Sequence, residues 1–240
     1  MLTRFKETAK TKVRNLISGG QFPLHHGMEP VYQRIFQRDL AKIGVEDVFY
    51  PVAGAANYSL LYLLTRIARE VPVKSILELG AGQSSILLDA LSKTGLLSAT
   101  ITTLEHDADW ANHISSKVAH EVVTTSLKKH SLNGIQFLGY DFSPILGRRN
   151  IELLLVDGPP ASTATTEFSR LGALELVEFI DPVDFIVVLD DTERPAEMML
   201  ADGIEQALRS KNIKFQKGQI ITSKRQIIFA AGKFERVVYF

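Results

Sequence analysis

At 240 residues, 45% hydrophobic and 22% charged, the chain suits one α/β domain with an N-terminal extension, and it can bury an ordinary core, which excludes a disordered protein. Lys plus Arg and Asp plus Glu number 27 each, so the basic excess of a bulk nucleic-acid binder is missing. There is no cysteine, which excludes disulfides, thiolate zinc sites and a cysteine nucleophile.

No apolar run reaches the ~20 residues that span a bilayer, and no signal-peptide pattern opens the chain, so a cytoplasmic protein is expected. Leu2, Phe5, Ala9, Val13, Leu16 and Ile17 fall on one helical stripe, with Arg4, Lys6, Lys10, Lys12 and Arg14 elsewhere. Such a basic amphipathic helix suits peripheral membrane contact or a partner, and equally packing on its own domain or on the second subunit of a homodimer. Gly19-Gly20 ends it, and residues 21–27 read as irregular, with His25 and His26 among them. Glu29-Pro30 opens a second helix over 31–43, stopped by Gly44. Residues 45–56 form a loop, after which Asn57 or Ser59 caps a strongly apolar helix to Glu70.

Beyond Pro72 strands and helices alternate. Strand one covers 75–79, a helix 84–91, and strand two 100–105 with β-branched residues at 100–103. Asp107 or Asp109 caps a helix holding Trp110 and Ile114, and a further helical stretch covers 118–127. Strand three is 135–140. Strands four and five, 151–156 and 185–189, are apolar runs of the kind a parallel strand shows when both faces are covered. Helices are expected at 166–179 and 195–210. The last two strands, 213–221 and 226–231, are joined by too short a link to be parallel, so they form an antiparallel pair. The pattern defines a doubly wound, mostly parallel α/β sheet.

Ligands of such a sheet bind beyond the carboxyl ends of its strands. Strand one ends in Glu78-Leu79-Gly80-Ala81-Gly82, where the glycines let the backbone turn and approach a ligand, and Ser84 or Ser85 caps the next helix. The carboxylate of Glu78 needs a cationic partner. The other strands end in Glu105-His106, Asp141-Phe142, Asp157 and Asp190-Asp191, so every tip carries an acid. Glu105, 25 residues after Gly80, suits the two hydroxyls of a ribose, and Asp141 an adenine amino group with Phe142 to stack. Asp157, Asp190 and Asp191 converge where strands four and five lie side by side. Three unpaired carboxylates need a proton or a cation, and a hard ion such as Mg²⁺ takes oxygen ligands of this kind and can lower the pKa of a substrate hydroxyl. The alternative is that Asp191 or Thr192 caps the following helix while Asp190 pairs with a cation.

Glu78 to Gly82, Glu105, Asp141-Phe142 and the terminal antiparallel pair resemble a class I S-adenosylmethionine-dependent methyltransferase, over about residues 57–232. Ser84 stands where the family's common pattern has a third glycine. The resemblance implies a seven-stranded Rossmann-like sheet with the last strand inserted antiparallel, a methyltransferase domain over 57–240 and a helical extension or lid over 1–56. It implies that Glu78, Gly80, Ala81, Gly82, Ser84 and Ser85 meet the methionine part of the cofactor, with Asn57 and Tyr58 closing over it. Glu105 and His106 border the ribose. Acids at the tips of strands four and five are similar to those of O-methyltransferases acting on catechols and sugars, which makes Asp157, Asp190 and Asp191 metal candidates and Asp157 and Asp190 catalytic ones. Asp157 also borders the cofactor, and His26 from the extension is the candidate base. The expected acceptor is a small molecule or carbohydrate hydroxyl. Gly158 and Ala161 break the Asp-Pro-Pro-aromatic motif of amino-methylating enzymes, so nucleic acid is disfavoured. The rival is an NAD(P)-dependent oxidoreductase, whose pyrophosphate Glu78 would repel. A non-catalytic binding protein on the same fold is the other alternative.

Overall fold

A computed structural model of the protein describes residues 24–52, 54–132, 134–161, 163 and 165–240. The amphipathic stripe expected over 2–17 lies outside these residues. Among the described residues no helix is long and apolar enough to cross a membrane.

Helix α1 (Glu29–Ile43) starts with Pro30, whose missing N–H costs nothing in a first turn, and stops at Gly44, which takes the left-handed conformation (φ 72) that glycine adopts without strain. It packs on α2 (Tyr58–Glu70), where Leu60, Leu61, Leu63, Leu64 and Ile67 are all buried. Asn57 caps α2 by accepting the Leu60 N–H at 3.2 Å. Phe36 of α1 sits edge-on to Phe49 of the following loop, 5.4 Å between ring centres, and both belong to the core under α2.

The elements that follow are β1 (Ser75–Leu79), α3 (Gln83–Lys93), β2 (Thr100–Glu105), α4 (Ala108–Ser115) and β3 (Glu121–Thr124). Then come β4 (Leu127–Leu132), β5 (Ile135–Tyr140), β6 (Leu153–Val156), β7 (Ile186–Leu189), α5 (Pro195–Ser210), β8 (Gln216–Ile221) and β9 (Arg225–Ala230). Seven strands form one sheet in the order β3-β2-β1-β6-β7-β9-β8. The first five run parallel, and β9 is antiparallel to both β7 and β8. The apolar runs of β6 and β7 alternate between two cores. Leu153, Leu155, Ile186 and Val188 face α2 and α3, while Leu154, Val156, Val187 and Leu189 face α5 and the 3₁₀ helix Ser169–Glu178.

Two expectations are corrected. The stretch 118–127 is not helical: it holds β3 and the first residue of β4. Its Val122-Val123-Thr124-Thr125 run is β-branched and fits a pleated edge better than a helix. Strand 135–140 exists, but it pairs with β4 in a separate antiparallel hairpin instead of joining the main sheet. The turn pair Asn133-Gly134 is the signal for that hairpin, and Gly134 has φ 84. The third parallel strand therefore ends at Thr124-Thr125 without an acid. The helix expected over 166–179 is the 3₁₀ helix already named.

Candidate functional site

The carboxyl ends of β1 and β6 meet backbone to backbone. Gly80 has φ 94, and a Cβ built on it would lie 2.8 Å from the Asp157 carbonyl oxygen and 2.9 Å from Gly158 Cα. A cleft of about 630 Å³ opens over these turns, walled by Gly80-Ala81-Gly82, Ser84, Glu105 and His106 on one side and by Asp157, Pro160 and Ala161 on the other. Gly54, Ala55 and Ala56 of the loop after α1 reach the same cleft. That loop is tied to the start of α3, because the Tyr50 backbone and the Gln83 side chain exchange two hydrogen bonds.

Glu78 is wholly buried one turn below. Its Oε2 accepts the hydroxyls of Ser85 and Thr103, each at 2.6 Å, and its Oε1 has no hydrogen-bond partner among the described residues. Burial pushes its carboxyl above the usual range, against the pull of the Ser84, Ser85 and Thr103 hydroxyls. An unpartnered buried oxygen is costly, and this one lies beneath the cleft floor and not in its wall. The implied cofactor fits the cleft above it, where the N-terminus of α3 offers backbone N–H groups and Glu105 an acceptor.

Thr103 spends its single hydroxyl proton on Glu78, so His120 Nε2, 3.1 Å away, must donate to Thr103. Burial pushes this imidazole below its ordinary 6.5, with Asp89 opposing and Lys93 assisting. A depressed folded pKa makes the stability contribution complete above about 6.5 and lost as pH falls toward the folded value, because the unfolded chain then binds more protons. Melts from about pH 7.5 to about pH 5.5 should therefore show the wild type losing more melting temperature than His120→Gln. Equal slopes would refute the neutral, donating imidazole.

Glu105 is a turn organiser as well as a cleft wall. Its carboxylate accepts the backbone N–H groups of Ala81 (3.0 Å), His106 (2.7 Å) and Asp107 (2.9 Å). Trp110 was not picked out from sequence as a site residue, yet it lines the cleft, donates its indole N–H to the Ala81 carbonyl at 2.7 Å and is 45% exposed. An exposed ring at the cleft rim is a platform for a planar group.

Asp157, Asp190 and Asp191 do converge, each offering an oxygen within 4.8 Å of the others. They arrive paired with cations, as the alternative for Asp190 has it, though the sequence pattern does not say which. Lys224 Nζ lies 2.9 Å from Asp190 and 3.0 Å from Asp191. Arg170 lies 3.1 Å from Asp191 and 3.3 Å from Asp157, and Arg194 lies 3.1 Å from Asp191. The Gln226 amide donates to the other Asp190 oxygen at 2.6 Å. Burial, then the neighbouring Asp190 charge, pushes the Asp157 carboxyl well up, whereas Asp191 is held below its usual value because Arg170, Lys224 and Arg194 outweigh its burial. As built, this donor set faces protein cations and does not fit a divalent ion.

The remaining candidates fall elsewhere. Asp141 caps the Ser143 N–H at 3.0 Å and pairs with Lys128 at 3.0 Å, which together hold its carboxyl at about 2. Phe142 is buried in the core beside Tyr140, and neither residue lines the cleft. Asn57 is buried and donates to Glu29, Thr222 and Ser223, and Tyr58 packs against Phe36. His25 and His26 are exposed and are not part of the cleft wall. Asp190 is fully buried behind Asp191 and Lys224 rather than in the wall.

No protein-family model and no curated protein matches the chain. Solved structures do resemble it. A methyltransferase from Pyrococcus furiosus is 16% identical, with 83% of this chain and 98% of that one aligned at a TM-score of 0.47. The O-methyltransferase from Bacillus cereus, in complex with SAH, is 15% identical over 92% and 97% of the two chains, TM-score 0.47. A precorrin-6y C5,15-methyltransferase from Geobacter metallireducens is 12% identical over 79% and 97%, TM-score 0.47. The sheet of this chain, with its reversed β9 between β7 and β8, is a Rossmann-like, mostly parallel seven-stranded sheet with an antiparallel ending.

Proposed function

We propose that this chain is an S-adenosylmethionine-dependent methyltransferase that methylates a hydroxyl of a small molecule or sugar. The observation that carries the reading is the cleft over the Gly80–Gly82 turn at the tip of β1, walled by Glu105 and Trp110, with the buried carboxyl of Glu78 beneath the turn. Glu78, the α3 N-terminus and Glu105 would hold the cofactor, which supplies the electrophilic methyl group. The protein's part is alignment, exclusion of water and removal of the hydroxyl proton.

Asp157 is the acid placed for that last task. It lines the cleft, and its nearest cationic nitrogen is Arg170 at 3.3 Å, whereas Asp191 is gripped by three cations and Asp190 is sealed behind it. Asp190 then acts by anchoring Lys224 and Gln226. The loop ending at Gly54-Ala55-Ala56 serves as the lid. No step is assigned to a metal, because the carboxylates already face Lys224, Arg170 and Arg194.

Calorimetry with S-adenosylhomocysteine tests the reading. The wild type should bind, and Glu78→Gln should weaken binding roughly tenfold to a hundredfold, as expected for a lost hydrogen bond to a charged group at about 1.5–3 kcal/mol. Binding of NADH with none of S-adenosylhomocysteine would replace this reading with an oxidoreductase.

A further inference from the structure

We infer that Lys224, bridging Asp190 and Asp191, fills the place in this carboxylate cluster that a divalent cation would otherwise take, so that the cluster needs no metal ion. The inference rests on the proposed methyl transfer only for its catalytic meaning; the binding claim stands by itself. Lys224 is no surface lysine caught in passing. Its side chain is 12% exposed, and its ammonium bridges Asp190 and Asp191. The turn that carries it is pinned from both ends. The Thr222 N–H donates to the Lys224 carbonyl at 2.8 Å, and the Ser223 hydroxyl donates to Glu29 at 3.0 Å. Asn57 donates to Thr222 and Ser223, each at 3.1 Å. The position of the ammonium is therefore set by α1, α2 and the β8–β9 turn together.

The sign of the charge and the size of the site support this. Four acids, Asp157, Asp190, Asp191 and Glu197, face three cations, Lys224, Arg170 and Arg194. Glu193 and Arg225 next to them offset each other. Without Lys224 four acids would face two cations, so Lys224 removes part of the cluster's negative excess. The three aspartate oxygens lie within 4.8 Å of one another, and ligands at about 2.1–2.4 Å from a central ion span a comparable distance. An ammonium differs from a metal in having no open coordination position. It cannot bind and acidify the acceptor hydroxyl, so the proton passes directly to a carboxylate; of the two cluster aspartates in the cleft wall, Asp157 and Asp191, Asp157 is the less tightly paired.

Manganese binding, read by loss of the free Mn²⁺ paramagnetic signal, tests this without any turnover. The wild type should leave Mn²⁺ free up to about 1 mM, while Lys224→Ala should take up one equivalent and lose that uptake when Asp190→Asn is added. Lys224→Ala should keep S-adenosylhomocysteine affinity within about threefold, since Lys224 is not in the cleft wall. If Lys224→Ala does not fold, Lys224→Met keeps the stem packing and serves in its place. Uptake of one equivalent by the wild type at micromolar Mn²⁺ overturns the inference, as does a Lys224 variant that binds S-adenosylhomocysteine and no Mn²⁺. Failure of the wild type to bind S-adenosylhomocysteine would instead count against the methyltransferase reading and leave the manganese result standing.

Discussion

Glu105→Ala is expected to abolish S-adenosylhomocysteine binding by at least about a hundredfold and to lower stability by roughly 2–4 kcal/mol. The size follows from what the carboxylate does before any ligand arrives. It is 4% exposed and gathers three backbone N–H groups, two from the tip of β2 and one from the glycine turn after β1. Alanine leaves those donors facing a void, and each unmet buried donor costs about 1–3 kcal/mol, partly recovered where water enters. Ala81 would then drift, and with it the carbonyl that holds the Trp110 indole. A carboxylate has about four lone-pair sites, so three bonds to the backbone leave room for a ligand hydroxyl. Glu105→Gln separates the two tasks. It keeps one acceptor oxygen but turns an amide N–H₂ toward backbone donors, so its binding should fall between alanine and wild type. Unchanged affinity in Glu105→Ala would remove Glu105 from the cofactor site.

Much of this was legible in the sequence because it is local. The bounds of β1, β2 and α5 follow from apolar runs and caps, and the reversed ending follows from the short link at Thr222-Ser223-Lys224. The glycine turn announces itself by residue type. The pairing partners of the acids did not, because they are set by register across the sheet. Antiparallel β9 places Ile227 opposite Leu189, which brings Gln226 beside Asp190 and carries Lys224 to the aspartate pair. Nothing in the local pattern around Lys224 reports this, since its partner Asp190 lies 34 residues earlier. Asp141 is the opposite case. Its place after a strand suggests a cleft acid, but that strand belongs to the hairpin, and the third parallel strand is β3, a four-residue edge strand inside a stretch whose pattern also suits a helix. Short β-branched segments with both polar and apolar residues fit either period, and tertiary pairing decides between them.

The glycines divide by the same kind of argument, and Gly158→Ala is the sharper test. A Cβ there would lie 2.5 Å from Gly80 Cα and 2.8 Å from both Gly80 N and the Tyr140 hydroxyl oxygen. Two of those three atoms are backbone, so no rotamer change relieves the overlap, and the tips of β1 and β6 must separate. Overpacking of this kind costs about 1–3 kcal/mol where side chains can give way, and more where they cannot. A loss of about 3 kcal/mol or more should lower the melting temperature by roughly 6–12 °C for a chain of this size. Gly82→Ala should behave otherwise. Gly82 is extended at φ −177, and a Cβ there meets nothing within 4 Å. Its stability cost is limited to the preference of a helix N-cap for glycine over alanine, about 1 kcal/mol or less. The added methyl would instead occupy open space in the wall of the cleft, so S-adenosylhomocysteine affinity should drop while the melting temperature barely moves. If both substitutions lower the melting temperature alike, Gly82 is a folding glycine. If Gly82→Ala binds S-adenosylhomocysteine as the wild type does, the methionine end of the cofactor does not lie over this turn.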